Sequence, residues 1–478
     1  MNIRLGRAPA SSLIGIVAVL LLGACSGGTS GGSSGGSGGG MTLSPAASLG
    51  EALFHDTSLS ASGQQSCGTC HVASRAFAAD DGRAVPLGGP NMDLPGLRNA
   101  PSLMYSSYTP AFKLVGGTPT GGFFRDGRAS SLAVQAEQPL ITPFEMANAD
   151  AAEVVQRLKA GPNLAQFESV YGSEILNDPD KTLTAIGRAI AAYETESPEF
   201  HPFSSKYDSW AAGRATLSPQ EMHGLALFNN PNKGNCTACH VSKVQGASQH
   251  ALFTDFTYDN IGVPRNWDIA ANHPNPVSDV DGVPLTYVPR QTNLPGGSEY
   301  AYYDLGLCGP LGPAANDPHP RTDFSTVTSL CGVFKVPTLR DIALTSPYFH
   351  NGVFKSLREV VEWYVTRDIN NNPANNPVPE FNPYDPVGSF YHAIDGTPDP
   401  YQYNDLPVDY NANVNIFEVP YTPPVAQGGQ APTLDSAEID DVVAFLCTLT
   451  DGYDPDHPAA YDASLPSQCP QSTATPAP

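Results

Sequence analysis

The sequence predicts a mainly α-helical chain of two homologous domains whose short helices are joined by long irregular loops. Three observations point there. A pattern of serine, proline and apolar residues near residue 43 recurs in the same register near residue 217. No stretch alternates strand-like with helix-like periods, so no βαβ sheet is expected. The 46 prolines and 45 glycines among 478 residues interrupt any long element. With 41% hydrophobic residues, the chain can still bury sizeable cores.

Taken in order, residues 1–25 read as a targeting segment rather than part of the fold. Arg4 and Arg7 precede an apolar run, Leu13 to Leu22, that is short for a membrane span. Leu22-Gly23-Ala24-Cys25 then has the form of a lipoprotein cleavage box, with Cys25 as the acylated new N-terminus. Residues 26–41 are almost all Gly and Ser, a slack tether reaching about 20 Å on average. An anchor and tether of this kind place the protein in the periplasm, held to the outer membrane only by lipid.

Leu43-Ser44-Pro45, Gly50 and Ala52-Leu53-Phe54 match Leu217-Ser218-Pro219, Gly224 and Ala226-Leu227-Phe228 position for position. Each copy opens a helix: serine caps it, proline fits its first turn, and Glu221 completes a capping box with Ser218. A second echo links Arg98-Asn99-Ala100-Pro101-Ser102-Leu103 to Lys335-Val336-Pro337-Thr338-Leu339-Arg340. The first domain therefore spans 42–205 and the second 206–455. Helical periods appear at Ala151 to Leu158, at Thr182 to Glu194 and over Ile439, Val442, Val443, Leu446 and Leu449. The second domain carries Pro/Asn/Gly-rich insertions at about 262–325 and 369–430. Residues 456–478 read as a loose tail apart from Cys469.

Each helix copy leads into the same motif. Cys67-Gly68-Thr69-Cys70-His71 is repeated as Cys236-Thr237-Ala238-Cys239-His240. Cys-x-x-Cys-His is the attachment run of a c-type haem: two thiols reach the two vinyls, and the adjacent histidine supplies the proximal nitrogen. A redox dithiol or half of a zinc site is the rival reading, and two complete runs in an exported chain weigh against it. The chain reads as a covalent di-haem cytochrome.

Beyond these, Cys308, Cys331, Cys447 and Cys469 allow three disulfide pairings, among which sequence does not choose. Nearest-neighbour bridges would each close a loop of about 23 residues, adding roughly 3 kcal/mol each in the loop-entropy account. A formal charge of −23 argues against nucleic acid and favours a partner with a basic docking face.

The second iron ligand decides between electron carriage and chemistry. None of the six methionines follows the second run, so methionine cannot serve that haem from downstream. On Ser356 to Val365, Leu357, Val361 and Tyr364 share one helical stripe.

These residues resemble the bacterial di-haem cytochrome c peroxidase and MauG family over nearly all of 42–455, the two insertions excepted. The resemblance rests on the two CxxCH runs, Phe124-Arg125-Asp126-Gly127-Arg128-Ala129 and Thr142-Pro143-Phe144-Glu145-Met146. It rests also on Pro337-Thr338-Leu339-Arg340 leading to Pro347-Tyr348-Phe349-His350-Asn351-Gly352. It implies a cytochrome c-like fold for both domains. The family's distal ligand for the second haem falls 14 residues beyond His350, on Tyr364, as in the MauG-like branch. No histidine lies between His71 and His201, so the removable ligand of many family peroxidases is missing. The His71 haem is expected to be open at rest, with Met92 and Met104 as the residues able to close it.

The resemblance further makes Glu145 the acid–base group and Gln135 an orienting amide on the distal side, with Pro139 between them. It places Arg125, beside Phe124, where relatives carry a tryptophan that relays holes between haems. It assigns a calcium ion to Asn99, Thr345 and Pro347. His350 reads as scaffold. The implied activity is reduction of hydrogen peroxide with electrons from a small cytochrome or copper protein. The alternatives are MauG-like oxidation of a partner protein's aromatic residues through a high-valent di-haem state, and plain electron carriage.

Overall fold

A computed structural model describes residues 42–244, 248–273, 303–309, 324, 327–368, 390–391, 403–421 and 432–470. Cys25 and the tether lie outside them, as does much of both insertions. Residues 43–478 form one compact unit. Among the described residues there are eleven α-helices and only three antiparallel strand pairs. No described helix is long and apolar enough to cross a membrane.

The first half contains α1 (Pro45–Phe54), α2 (Cys67–Cys70), α3 (Leu132–Ile141), α4 (Ala151–Ala160), α5 (Leu164–Tyr171) and α6 (Pro179–Glu196). The second contains α7 (Lys206–Ala211), α8 (Pro219–Asn229), α9 (Leu357–Thr366), α10 (Ser436–Cys447) and α11 (Pro458–Ser464). The strand pairs are β1 (Leu87–Gly88) with β2 (Leu94–Pro95), β3 (Lys113–Val115) with β4 (Thr118–Thr120), and β5 (Tyr258–Asp259) with β6 (Phe334–Lys335).

The repeated sequence folds into a repeated helix crossing. Ser44 and Ser218 cap α1 and α8 by accepting from Ala47 N and Glu221 N, with proline in each first turn. Glu221 returns a carboxylate to Ser218 N, closing the capping box at 2.6 Å. Six residues after each capping serine, the helix presents a glycine to a partner. A Cβ on Gly50 would sit 1.9 Å from Ala189 O of α6, and one on Gly224 would sit 1.9 Å from Asp441 O of α10. Only a residue without a side chain permits so close a crossing.

Two hydrophobic cores form around these crossings. The first gathers Leu49, Leu53 and Phe54 with Ile186, Ala189 and Tyr193. The second gathers Leu225, Leu227 and Phe228 with Val442, Phe445 and Leu446. Arg340 lies between the halves, donating to Asp208 at 2.8 and 2.9 Å with its guanidinium 4.9 Å from the Tyr105 ring centroid.

Both disulfides join nearest neighbours, Cys308 to Cys331 and Cys447 to Cys469. The stretch after 455, expected to be loose, is held as far as it is described. Tyr461 is buried, and Gln468 binds Leu357 N, Ala343 O and the Tyr348 hydroxyl. The second bridge ties this segment to the core helix α10, which periodicity alone does not reveal.

Candidate active site

The two attachment runs are built alike. Cys67–Cys70 is a single helical turn opened by Ser66, whose N–H donates to Thr69 Oγ1 at 2.9 Å. His71 N donates to Cys67 O at 2.9 Å, and His240 N to Cys236 O at 2.8 Å. One turn of backbone thus fixes both thiols and the following imidazole. His71 Nδ1 lies 2.8 Å from Phe77 O, and His240 Nδ1 lies 2.9 Å from Phe253 O. A carbonyl only accepts, so Nδ1 carries the proton and Nε2 keeps its lone pair for a metal. Burial lowers both imidazole pKa values, against nearby carbonyls that raise them, which favours the neutral ligand form.

The accepting carbonyls are positioned in parallel too. Phe77 and Phe253 have φ of 53° and 52°. The carbonyl before each is held by the later echo: Ser102 Oγ donates to Ala76 O and Thr338 Oγ1 to Leu252 O, both at 2.6 Å. The second echo therefore serves to lock each proximal loop.

None of the four motif cysteines is in a disulfide, and burial pushes each thiol up to about 12. A redox dithiol needs an accessible thiolate, so that rival fits poorly. Among the described residues the one set of three metal-binding side chains within reach of each other is Cys239, Asp259 and Glu418. Cys239 of the second run belongs to it, and neither His71 nor His240 does. Free thiols beside a histidine with an available Nε2 fit covalent haem in both halves.

A cavity of about 270 Å³ opens beside the first run. Cys67, Cys70, His71, Gln135, Pro139 and Glu145 all line it. Gln135 and Pro139 stand one turn apart on α3, on the same face. Glu145 follows in a turn fixed by Glu145 N to Thr142 O and Met146 N to Pro139 O, each 3.0 Å. Its carbonyl accepts from Gly89 N at 2.8 Å and also from Gln65 Nε2. The carboxyl is thereby aimed by a clamped backbone. Burial raises its pKa, opposed by Arg128 and by a hydrogen bond from Thr142. Met104 also lines this cavity, whereas Met92 accepts from Ser62 Oγ at 3.6 Å away from the lining.

Sequence reasoning missed two polar groups of the cavity wall, Glu194 and Lys335. Glu194 is 2% exposed and burial pushes its carboxyl up to about 8. Burial lowers Lys335 to about 8, against the opposing charge of Asp126. Lys335 comes from the second half, donating its Nζ to Gly122 O while its backbone N–H donates to Arg125 O at 2.8 Å. A glutamate at the end of an amphipathic helix and a lysine on an edge strand carry no local signal of burial.

In the second half Tyr364 stands on α9 near the second run. Burial raises its phenol pKa, reinforced by the Cys239 and Cys236 thiols and offset by Arg367. No hydrogen bond holds its hydroxyl among the described residues, and its ring stacks on Tyr421 at 5.7 Å. A bound cation could convert this phenol to the phenolate that burial alone disfavours.

The expected calcium residues fit less well. Asn99 is buried, and every polar atom of it is engaged: N to His350 O, Nδ2 to Ala84 O, O to Arg125 Nε, and Oδ1 to Arg125 Nη2 at 2.7 Å. A calcium ion about 2.4 Å from that Oδ1 would lie within about 5 Å of the guanidinium. The repulsion is on the order of 7 kcal/mol at an effective dielectric of about 20. His350 binds Asp405 at 3.0 Å and stacks on Phe334, as scaffold does.

The chain is similar to known proteins. The family profile of the di-haem cytochrome c peroxidases matches residues 44–216. The methylamine utilization protein MauG of Paracoccus denitrificans is 34% identical over 411 residues, 85% of this chain and 88% of MauG. The cytochrome c551 peroxidase of Nitrosomonas europaea is 29% identical over 66% of this chain and 71% of its own. The crystal structure of the diheme peroxidase BthA of Burkholderia thailandensis superposes with a TM-score of 0.68, at 34% identity over 89% of both chains. Identity of 34% over most of the MauG and BthA chains makes the protein a member of the di-haem cytochrome c peroxidase and MauG family, an oxidoreductase with two c-type haems.

Proposed function

We propose that the chain reduces hydrogen peroxide to water in the periplasm, drawing two electrons from a small cytochrome or copper protein. The observation that carries this reading is the shared cavity of His71, Gln135 and Glu145. Haem bound there supplies the iron at which peroxide is reduced. His71 is the protein ligand assigned to that iron. Glu145 takes the proton from one peroxide oxygen and returns it to the other, which becomes the leaving water. Gln135 orients the peroxide through its amide, and Pro139 keeps the α3 wall between them rigid. His240 and Tyr364 would hold the second haem's iron, and an anionic phenolate there would favour the oxidised state.

The chain's charge of −23 suits a donor with a basic face. The reading includes domains at 42–205 and 206–455 and lipidation at Cys25, which holds the protein to the outer membrane. Ferric EPR before and after one equivalent of peroxide tests it. A high-spin signal that disappears on oxidation is expected; two unchanged low-spin signals would refute it.

One observation favours a second reading, MauG-like oxidation of a partner protein. The residue matching the family's distal ligand is a tyrosine, half-buried, and it stacks on a buried one, Tyr421. Negligible turnover with every soluble donor, together with a modified aromatic residue in a co-purified protein, would select it.

A further inference from the structure

We propose that Arg125 is a built-in cation that takes the place of a divalent metal ion at the seam between the two halves. Its guanidinium grips Asn99 twice, through Nε to the main-chain carbonyl at 3.1 Å and through Nη2 to Oδ1 at 2.7 Å. Asn99 N in turn donates to His350 O at 2.8 Å, so the grip reaches the second half directly. Arg125 contributes its own carbonyl to the same seam by accepting from Lys335 N. A metal ion binding Asn99 Oδ1 and the 345–347 turn would have made this link; here covalently attached charge makes it.

The surroundings agree. Arg98 and Lys335 line the same cavity wall as Arg125, and the nearby carboxylates Asp126 and Asp304 are engaged by Arg98. Arg75 Nη2 lies 3.4 Å from Ser346 O, in the middle of the turn that would supply the other ligands. Arg75 is itself paired with Asp80 at 3.2 Å, so the repulsion on a further positive ion comes chiefly from Arg125. An arginine at this position offers no redox-active ring and acts through its charge.

The test uses the holoprotein with both haems attached, dialysed against EGTA and then against millimolar calcium. Metal analysis should find well under one calcium ion per chain. The melting temperature and the ferric EPR spectrum should be the same in both buffers. Arg125→Gln, which releases Asn99 Oδ1 and removes the charge, should gain a melting temperature that rises by several degrees in calcium and falls back in EGTA. One chelatable calcium per wild-type chain, or a wild-type melting temperature lowered by EGTA and restored by calcium, would overturn the proposal. So would an Arg125→Gln chain that folds and ignores calcium. Should that variant fail to fold, the wild-type metal content decides. The readouts are metal and melting, so they stand apart from the peroxide reaction.

Discussion

Replacing Glu145 with Gln removes one proton-transfer group and little else. Burial favours the neutral carboxyl, so the neutral amide matches it in charge and shape. The backbone clamp on the Glu145 carbonyl, from Gln65 and Gly89, does not involve the side chain. A positioned acid–base group contributes about 10²–10⁴-fold, which corresponds to roughly 3–5 kcal/mol of barrier. Glu145→Gln should therefore slow the reaction of the ferric protein with peroxide by that factor, with the Soret spectrum of the resting protein unchanged. Stopped-flow spectroscopy over a pH series measures it. Because the ionised form accepts the proton and its pKa is raised, the wild-type rate should climb with pH through a value above the ordinary carboxylate range. The variant's profile should be flat there. A variant rate within a few-fold of wild type, or an unchanged profile, would refute the role of Glu145.

Tyr364→Phe removes a phenol that no hydrogen bond holds among the described residues, so its loss should alter only the EPR signal of the second haem and raise that haem's potential. A change confined to the high-spin signal would exclude Tyr364 as that ligand. Glu194 links stability to pH: its carboxyl moves from 4.5 to about 8, so between those values the folded chain binds a proton that the unfolded chain has released. That contribution is complete below about 4.5 and lost as pH rises through about 8, roughly 4–5 kcal/mol in all. Denaturation of Glu194→Gln at pH 5 and pH 9 should show this difference abolished. Gly224→Ala should lower the melting temperature by several degrees, because the clash with Asp441 O outweighs the roughly 1 kcal/mol that alanine adds to helix propensity. An unchanged melting temperature would show that the α8–α10 crossing can open freely.

The sequence by itself determined what one or two turns of backbone contain. Cys67, Cys70 and His71 lie within a single turn, so their spacing alone specifies a haem-binding run, and its repeat specifies two. Ser44 and Ser218 with their prolines marked helix starts for the same local reason. The repeated glycines at 50 and 224 were visible as a pattern, though not as the crossing points they are. The tertiary structure alone decided what distant residues do to each other. It selected one disulfide pairing from three, brought Glu145 of a turn after α3 to the cavity of His71, buried Glu194 there and set the half-buried Lys335 in the same wall. It also set Arg125 on Asn99, 26 residues away, where a metal ion had been expected. Local spacing is written in the chain because backbone geometry fixes it, whereas burial and charge pairing across tens or hundreds of residues arise only when the halves close on each other and water is excluded.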